Sequence, residues 1–392
     1  MPNQNMKTKT PRYYQVSGVQ KVNKCWKAGG SPLAVLPGGG GKTLMIAMLM
    51  QEQLAAAVKR EEQLLYIAHR RELVTQVANK LILDGDLPEH MVGLLLGGAV
   101  RDSSRPIQVA SIQTLHNMTS LPRASHVFFD EGHRSVAATY RKLLERLGSP
   151  KVAGFTATPT RLDGKPLGAA YTDLIEVEKM SVLIRKKFLS SPRCFSDVTE
   201  LLPQLEGLKK SAGDFNHLEL GKRMNQKYLI GGILKNYVRW ADGRQFAGFA
   251  ASIEHSKALV AQFYKAGYPC AHIDANTPPQ ERTEIIRRFR TGELIGIWNY
   301  DIISEGFDLP ACRVCIMARP TLSYVKFQQQ AARVMRWYKG EDALLLDHAL
   351  NISRFYFPDI DRQFTLNGGE VLDDQPRITK TCPSCHHLVP AD

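Results

Sequence analysis

Short apolar runs alternate with longer amphipathic segments along most of the chain. In the first half they predict strands at 32–37, 63–69, 107–112, 126–130 and 151–157. In the second half they predict strands at 245–251, 270–274, 295–300, 313–318 and 343–347. Segments such as RRELVTQVANKLIL and ATYRKLLERLG have the period of helices that pack one face on a sheet. This alternation is typical of α/β domains with parallel sheets.

The alternation is interrupted once, by a polar stretch of weak periodicity over residues 188–224. We interpret this stretch as a linker or an insertion between two domains of similar construction. The predicted domains span residues 1–187 and 225–370, and a short tail follows over 371–392.

Composition and charge narrow the class of partner. The 392 residues are 44% hydrophobic and 23% charged, which is typical of globular domains. A formal net charge of +13 favours a polyanion, and nucleic acid is preferred to a membrane because no basic amphipathic anchor is evident. We find no signal-peptide pattern and no apolar run near the ~20 residues of a membrane span. Seven scattered cysteines agree with a reducing compartment, so we expect a cytoplasmic protein without membrane contact.

One glycine-rich stretch, SPLAVLPGGGGKTLMIAMLM, lies between an apolar strand and a helical pattern. It matches the phosphate-binding pattern G-x-x-x-x-G-K-[ST], with Leu36 in place of the first glycine. Because a strand leads in and a helix leads out, a phosphate-binding turn is favoured over a flexible hinge. In such a turn the lysine reaches the β/γ oxygens and the threonine ligates Mg²⁺. The residues expected to bind the nucleotide here are Gly39, Gly40, Gly41, Lys42 and Thr43.

An acidic motif follows in HVFFDEGH, where an apolar strand ends in Asp130 and Glu131. Such a pair alone is more often a solvated strand edge. Together with a phosphate-binding turn, the first carboxylate is expected to hold Mg²⁺ through water and the second to polarise the attacking water. His133 then becomes a candidate for coupling, although by itself it would be interpreted as an ordinary loop histidine.

The order of these and further motifs resembles that of superfamily 2 helicases of the DExH type over about residues 11–350. The matching segments are, in order, PRYYQ, LPGGGGKT, YIAHRRELVTQ, VASIQTL, DEGH, FTATPTR, FAASIEHS, YDIISEGFDLP and QQAARVMR. The resemblance implies an α/β fold of two tandem RecA-like domains with parallel sheets and an ATP cleft between them. It also implies an ATPase that uses Mg²⁺ and acts on nucleic acid.

The resemblance assigns expected roles to individual residues. The catalytic set is Lys42, Asp130, Glu131, Gln329, Arg333 and Arg336, the two arginines acting as fingers on one helix face. Further nucleotide contacts are expected from Arg12, Gln15, Gly306 and Asp308. Nucleic-acid contacts are expected from His69, Arg70, Gln76, Gln113, Thr114, Ser252 and Ser304. Coupling between nucleotide and strand is expected from His133, Thr156 and Thr158.

Within superfamily 2 the chain most resembles the RadD (YejH) type of DNA-repair helicase, including its phage relatives. The features behind this likeness include AHRRELVTQ, ARPTLSYVKFQQQ and the terminal CPSC. They imply action on single-stranded or branched DNA in repair, recombination or replication. An RNA helicase is the nearest alternative, since backbone contacts and stacking suit either polymer. An ATP-switched DNA clamp that does not unwind is the alternative from another class.

The tail KTCPSCHHLVPAD contains one CxxC pair, Cys382 and Cys385, which is half of a four-cysteine zinc ribbon. Both a Zn²⁺ site and a vestigial knuckle are compatible with it. Haem attachment through CPSCH is rejected because no export signal is evident. Cys312 and Cys315 are expected in the core, since their odd spacing in a strand directs them to opposite faces.

Overall fold

A computed structural model describes most of the chain, in ranges that leave short gaps. The described residues are 10–68, 71–96, 99–135, 138–161, 164–196, 205–211, 213–302, 312–338, 341–367, 370–371, 379–382, 384 and 386–390. They group into two compact units. The first is Met1–Lys179 with Arg362–Val371, and the second is Met180–Asp361 with Leu372–Asp392.

The first unit is built on one large sheet. Its strands are β1 (Pro32–Val35), β2 (Gln63–Ala68), β3 (Val92–Leu96), β4 (Ala99–Arg101), β5 (Ile107–Ser111), β6 (Ala124–Asp130), β7 (Lys151–Thr156) and β8 (Asp173–Glu176). They lie in the order β4-β3-β5-β2-β6-β7-β1-β8, and every pair is parallel except β3 with β4. The helices are α1 (Tyr13–Lys27), α2 (Lys42–Lys59), α3 (Arg71–Leu83), α4 (Ile112–Asn117) and α5 (Ala138–Arg146).

The second unit repeats this plan. Its strands are β9 (Pro192–Phe195), β10 (Lys210–Ser211), β11 (Asp214–Phe215), β12 (Phe246–Ala250), β13 (Cys270–Ile273), β14 (Gly296–Asn299), β15 (Val314–Ala318) and β16 (Ala343–Asp347). Six of them form a fully parallel sheet in the order β13-β14-β12-β15-β16-β9. The helices are α6 (Met180–Arg185), α7 (His217–Met224), α8 (Lys227–Ala241), α9 (Ile253–Lys265), α10 (Pro279–Arg290), α11 (Tyr324–Ala331) and α12 (Asn351–Phe355).

Each sheet carries its own core. The strands are apolar on both faces, as expected for parallel sheets covered by helices. Phe129 in the first unit and Trp298 in the second are almost fully buried, and each such side chain stabilises its unit by about 1.5–3 kcal/mol. The predicted α/β class with two tandem RecA-like domains is therefore confirmed. None of the helices within the described ranges has both the length and the apolarity needed to cross a membrane.

The segment 188–224, interpreted above as a linker or insertion, contributes to the second unit. Its strand β9 pairs in parallel with β16 at the edge of the sheet. The hairpin β10–β11 and helix α7 pack around a small apolar cluster that includes Phe215 and Ala251. Asp214 fastens this hairpin, since its carboxylate accepts hydrogen bonds from Leu322 N (2.8 Å) and Lys326 Nζ (3.0 Å).

Two hairpins follow near the carboxyl terminus. Strands β17 (Gln363–Phe364) and β18 (Glu370–Val371) belong to the first unit, although their residues fall within or beside the range predicted for the second domain. Between them, Leu366 O accepts hydrogen bonds from Leu167 N (2.7 Å) and Gly168 N (3.0 Å). Strands β19 (Thr379–Thr381) and β20 (Leu388–Pro390) form the second hairpin, and His387 bridges to Phe195.

A buried histidine in the first unit predicts a pH dependence. The ring of His126 on β6 is 3% exposed and packs 5.0 Å from the ring of Trp26. Burial, with smaller contributions from the Lys151 and Arg60 charges, lowers the pKa of His126 to about 4. The unfolded chain therefore binds the additional proton. The stability that the neutral ring provides is present above the unfolded pKa of about 6.5 and is lost as the pH falls toward 4.

We expect His126→Phe to keep the aromatic packing and remove this titration. Relative to the original protein, the variant should gain about 2 kcal/mol of unfolding free energy on going from pH 8 to pH 5. Urea unfolding followed by tryptophan fluorescence measures it. Trp26 reports on the first unit, whereas the other three tryptophans lie in the second. An equal difference between the two proteins at both pH values would contradict the prediction.

Candidate nucleotide and nucleic-acid sites

The glycine-rich turn connects β1 to the first turn of α2. Gly39 and Gly41 adopt the left-handed region, with φ of +84° and +92°. A Cβ on Gly40 would lie 2.7 Å from Leu36 Cγ, so the backbone is closely packed as well as strained for other residues. The first N–H groups of an 18-residue helix, which have no intrahelical acceptor, face this turn. The turn therefore fits a phosphate group.

The first residues of α1 donate hydrogen bonds to the glycine-rich turn. Tyr14 Oη and Gln15 Nε2 both donate to Gly40 O, at 2.8 and 3.0 Å. Gln15 Oε1 accepts from Arg12 N at 2.8 Å, and the side chains of Tyr14 and Gln15 are buried. A Cβ on Gly41 would lie 2.3 Å from Gln15 Nε2. The nucleotide contact expected of Arg12 and Gln15 stays a prediction, and the structure adds a direct link from Gln15 to the phosphate-binding turn.

The acidic motif lies at the end of β6. Glu131 has a φ of +51°, unusual for a residue with a side chain, and its N–H donates to Asp130 Oδ1 at 3.0 Å. Glu131 Oε2 lies 3.4 Å from Nδ1 of the buried His133, and the same nitrogen lies 2.9 Å from Thr156 Oγ1. Thr156 Oγ1 also lies 3.1 Å from Thr158 O. The structure thus joins the acidic motif to both threonines expected to couple.

Sequence reasoning missed Tyr66, which lies on β2 opposite Phe128 of β6. Its side chain is fully buried, and its hydroxyl faces the Asp130 carboxylate and the Thr43 hydroxyl. Burial, followed by the charge of Asp130, raises the pKa of Tyr66 well above its ordinary value. The only signal in the sequence was a tyrosine within an otherwise aliphatic strand. These three side chains bring together oxygen atoms, the donors that Mg²⁺ prefers.

In the second unit, Gln329 is buried on α11, which ends at Ala331. Arg333 and Arg336 therefore follow the helix, and the expectation that they share one helix face is wrong. Both arginines are half-buried, whereas the two residues between them, Val334 and Met335, are fully buried. The finger role of the arginines stays a prediction.

The expected nucleic-acid residues lie in different environments. Gln113 is exposed on α4, whereas Thr114 is buried with its hydroxyl 2.9 Å from Ser111 Oγ. Ser252 Oγ caps α9 by accepting from His255 N at 3.1 Å, and Gln76 is half-buried on α3. Their contacts to nucleic acid stay predictions. The expected residues that lie outside the described ranges are His69, Arg70, Ser304, Gly306 and Asp308.

The described residues of the CxxC tail are linked by backbone hydrogen bonds. Cys382 N donates to His387 O at 3.0 Å, and His386 N donates to Cys382 O at 2.8 Å. Within the described part of the chain, no group of three or more histidine, cysteine, aspartate or glutamate residues is arranged to hold a metal ion. Cys385 lies outside that part. The structure therefore gives no support to a Zn²⁺ site. As expected, Cys312 and Cys315 are buried in the core.

Two protein-family models match the chain. Residues 8–161 match the family described as type III restriction enzyme, res subunit, and residues 231–338 match the helicase conserved C-terminal domain. The first match contains the glycine-rich turn and the acidic motif. The second contains α11 and both candidate finger arginines.

Individual relatives align with most of the chain. A 51.5 kDa protein of a Lactococcus phage (isolate 7-9) is 31% identical over 360 residues, which cover 90% of this chain and 74% of that protein. The DNA 3'-5' translocase XPB2 of Sulfurisphaera tokodaii is 25% identical in an alignment that covers 86% of this chain and 80% of the relative.

Solved structures support the fold. The ATP-dependent Type ISP restriction-modification enzyme LlaBIII bound to DNA matches 87% of this chain with a TM-score of 0.64 at 16% identity. This chain spans only 28% of that enzyme, so the likeness concerns the architecture alone.

The left-handed glycine of the turn predicts a local stability cost. We expect Gly41→Ala to lower the free energy of unfolding of the first unit by about 1–2 kcal/mol, because alanine is strained at this φ. Its Cβ would also displace the Gln15 amide. The matched control is Gly231→Ala on α8, where a Cβ meets open space and should stabilise the second unit by about 0.5–1 kcal/mol. Urea unfolding of both variants measures the effect, and unchanged stability in Gly41→Ala would contradict it.

Proposed function

We propose, on the premise that this chain belongs to the superfamily 2 helicases, that it uses ATP hydrolysis to move on DNA or to remodel it. Membership of this family makes the chain an ATPase of the helicase type that acts on nucleic acid. The choice of DNA, and a role in repair, recombination or replication, are the proposed part.

The observation that carries the proposal is the assembly in the first unit. The glycine-rich turn after β1 and Asp130 at the end of β6 lie at the same edge of one parallel sheet, and Tyr66 faces both Thr43 and Asp130. Backbone N–H groups and Lys42 would bind the phosphates of ATP, while Thr43 and Asp130 would hold Mg²⁺. The metal, when bound, neutralises charge on the phosphate oxygens.

The other residues of this edge have distinct proposed tasks. Glu131 would orient and polarise the attacking water, and its contact with His133 restrains the carboxylate. Since His133 also contacts Thr156, a movement of Glu131 would displace His133 and thereby change the contact at the loop after β7. This contact is the proposed route by which the first unit reports its nucleotide state.

The second unit would supply positive charge to the reaction. Arg333 and Arg336 are proposed to neutralise charge that develops on the γ-phosphate, with Gln329 beside them. Groups that act only on the developing charge raise kcat more than they raise substrate affinity. Each cycle of ATP binding and hydrolysis would then advance the protein along a strand.

Several observations favour DNA as the track. The formal net charge of +13 suits a polyanion, and the first half of the chain matches a restriction-enzyme subunit family. A relative of similar length is named a DNA translocase. The resemblance of the motifs to the RadD type supports single-stranded or branched DNA as substrate and a role in repair.

Steady-state ATP hydrolysis with different polymers tests the function. We expect single-stranded or branched DNA to stimulate phosphate release more than RNA does, and Lys42→Ala and Asp130→Ala to lower turnover at least about 100-fold while staying folded. Equal or greater stimulation by RNA would indicate an RNA helicase instead. Turnover without stimulation by any polymer, together with ATP-dependent DNA binding, would indicate a switched clamp. Full turnover in folded Lys42→Ala would remove the phosphate-binding assignment.

The finger role predicts a separation of kcat from affinity. We expect Arg336→Ala to lower kcat by about 10²-fold or more, because its charge acts on the developing γ-phosphate charge. The affinity for the non-hydrolysable analogue AMP-PNP should change by less than about threefold. Arg288→Ala is the control, since this half-buried arginine on α10 forms a surface ion pair with Glu293. A loss of affinity that accounts for the whole effect in Arg336→Ala would contradict the finger role.

A further inference from the structure

We infer that Arg313 is a positioning residue that fixes the backbone carrying Arg333 and Arg336, an inference that rests on the finger role proposed above. Arg313 directly precedes β15, a central strand of the second sheet. We call residues 333–336 the finger segment. Arg313 precedes this segment by at least 20 residues in sequence and matches none of the motifs quoted above.

The guanidinium group of Arg313 is buried against the finger segment, with only 4% of the residue exposed. Its Nη1 donates to Val334 O at 3.0 Å and also to Arg336 O. Its Nη2 donates to Glu341 O, and to Ser190 Oγ at 3.2 Å. One side chain thus binds the carbonyls on both sides of Met335 and a third carbonyl further along the chain.

The carbonyl of Met335, between those of Val334 and Arg336, is also fixed. Met335 O accepts from Ser190 N at 2.7 Å, and Leu189 forms an antiparallel bridge with Arg336. The carbonyls of three consecutive residues, 334 to 336, are therefore all held by groups from outside the segment. Because α11 has already ended at Ala331, helical hydrogen bonds do not perform this task.

The chemistry of arginine suits this task better than that of lysine. A guanidinium group presents five donors in a planar fork, whereas an ammonium group is a single compact charge. Burial lowers the pKa of Arg313, which shows that the site disfavours the charge. Burying a charge costs several kcal/mol unless hydrogen bonds compensate it. Here two of the four acceptors are carbonyls of the finger segment, so the burial of Arg313 and the shape of that segment are coupled.

This arrangement has a kinetic consequence for the proposed reaction. A displacement of about 1 Å in a group that must meet the developing charge is enough to lower the rate strongly. Nucleotide affinity should change little, because the phosphate-binding turn lies in the first unit. Loss of the Arg313 hydrogen bonds should therefore lower kcat without changing nucleotide affinity, as the loss of Arg336 is expected to do.

The test measures kcat, AMP-PNP affinity and thermal unfolding in the full chain for Arg313→Lys, Arg336→Ala and the double variant. We expect Arg313→Lys to lower kcat at least about tenfold, with AMP-PNP affinity within about threefold and a fold that stays intact. In the Arg336→Ala background the same change should lower kcat by less than about twofold, because the group that it positions is gone. Arg354→Lys is the matched control, since this half-buried arginine of the same unit donates to Thr321 O at 2.9 Å.

The outcomes separate the inference from the function on which it rests. Loss of kcat in Arg336→Ala with full turnover in Arg313→Lys would overturn the inference alone. An equal loss from Arg313→Lys in both backgrounds, or a similar loss in Arg354→Lys, would also overturn it. Full turnover in Arg336→Ala would refute the finger role and the inference together.

A milder variant decides the matter if Arg313→Lys unfolds. Ser190→Ala removes one acceptor of Arg313 and leaves its carbonyl bonds in place. A kcat loss of about two- to threefold that disappears in the Arg336→Ala background would support the inference. Unchanged kcat in folded Ser190→Ala would overturn it.

Discussion

Parallel strand pairing is the constraint on which the candidate site depends. In the first sheet β7 lies between β6 and β1, and all three run in the same direction. The loops that follow them must therefore emerge at one edge, although more than 90 residues separate the first loop from the second. The register places Val35 beside Thr156, and Asp130 beside Phe155. The hydrogen bonds between parallel strands fix the direction of each strand. They therefore bring the phosphate-binding turn, the acidic pair and the coupling threonines to the same edge of the sheet.

In each unit, buried polar side chains set the shape of irregular backbone. Tyr14 and Gln15 bind the carbonyl of Gly40 in the first unit, and Asp214 and Arg313 bind main-chain groups in the second. Apolar packing alone cannot fix a turn or a post-helical segment, since it is not directional. A buried charge or amide becomes costly when its hydrogen bonds are lost, so each of these residues favours one conformation of its loop.

The apolar pattern was sufficient for most strands of the two large sheets. All ten predicted strands have counterparts within a few residues, because strands buried on both faces are apolar runs. The pattern missed four strands of the two large sheets, β3, β4, β8 and β9. Of these, β8 is exposed at both ends, and β9 has only four residues beside a polar stretch. The motif residues could be listed from the sequence. Tyr66 and Arg313 could not, because their neighbours are set by strand register and by long-range packing that no local period encodes.

Because of the hairpin β17–β18, the first unit is not one continuous segment of the chain. The chain leaves the first unit after residue 179, returns for residues 362–371 and leaves again, so three covalent passages connect the two units. The carbonyl of Leu366 closes hydrogen bonds to Leu167 and Gly168, which a fragment cut at residue 179 would lose. A gene segment that encodes the first half alone therefore does not encode the whole of its first unit. Exchange of halves between related proteins has to carry this distant hairpin as well.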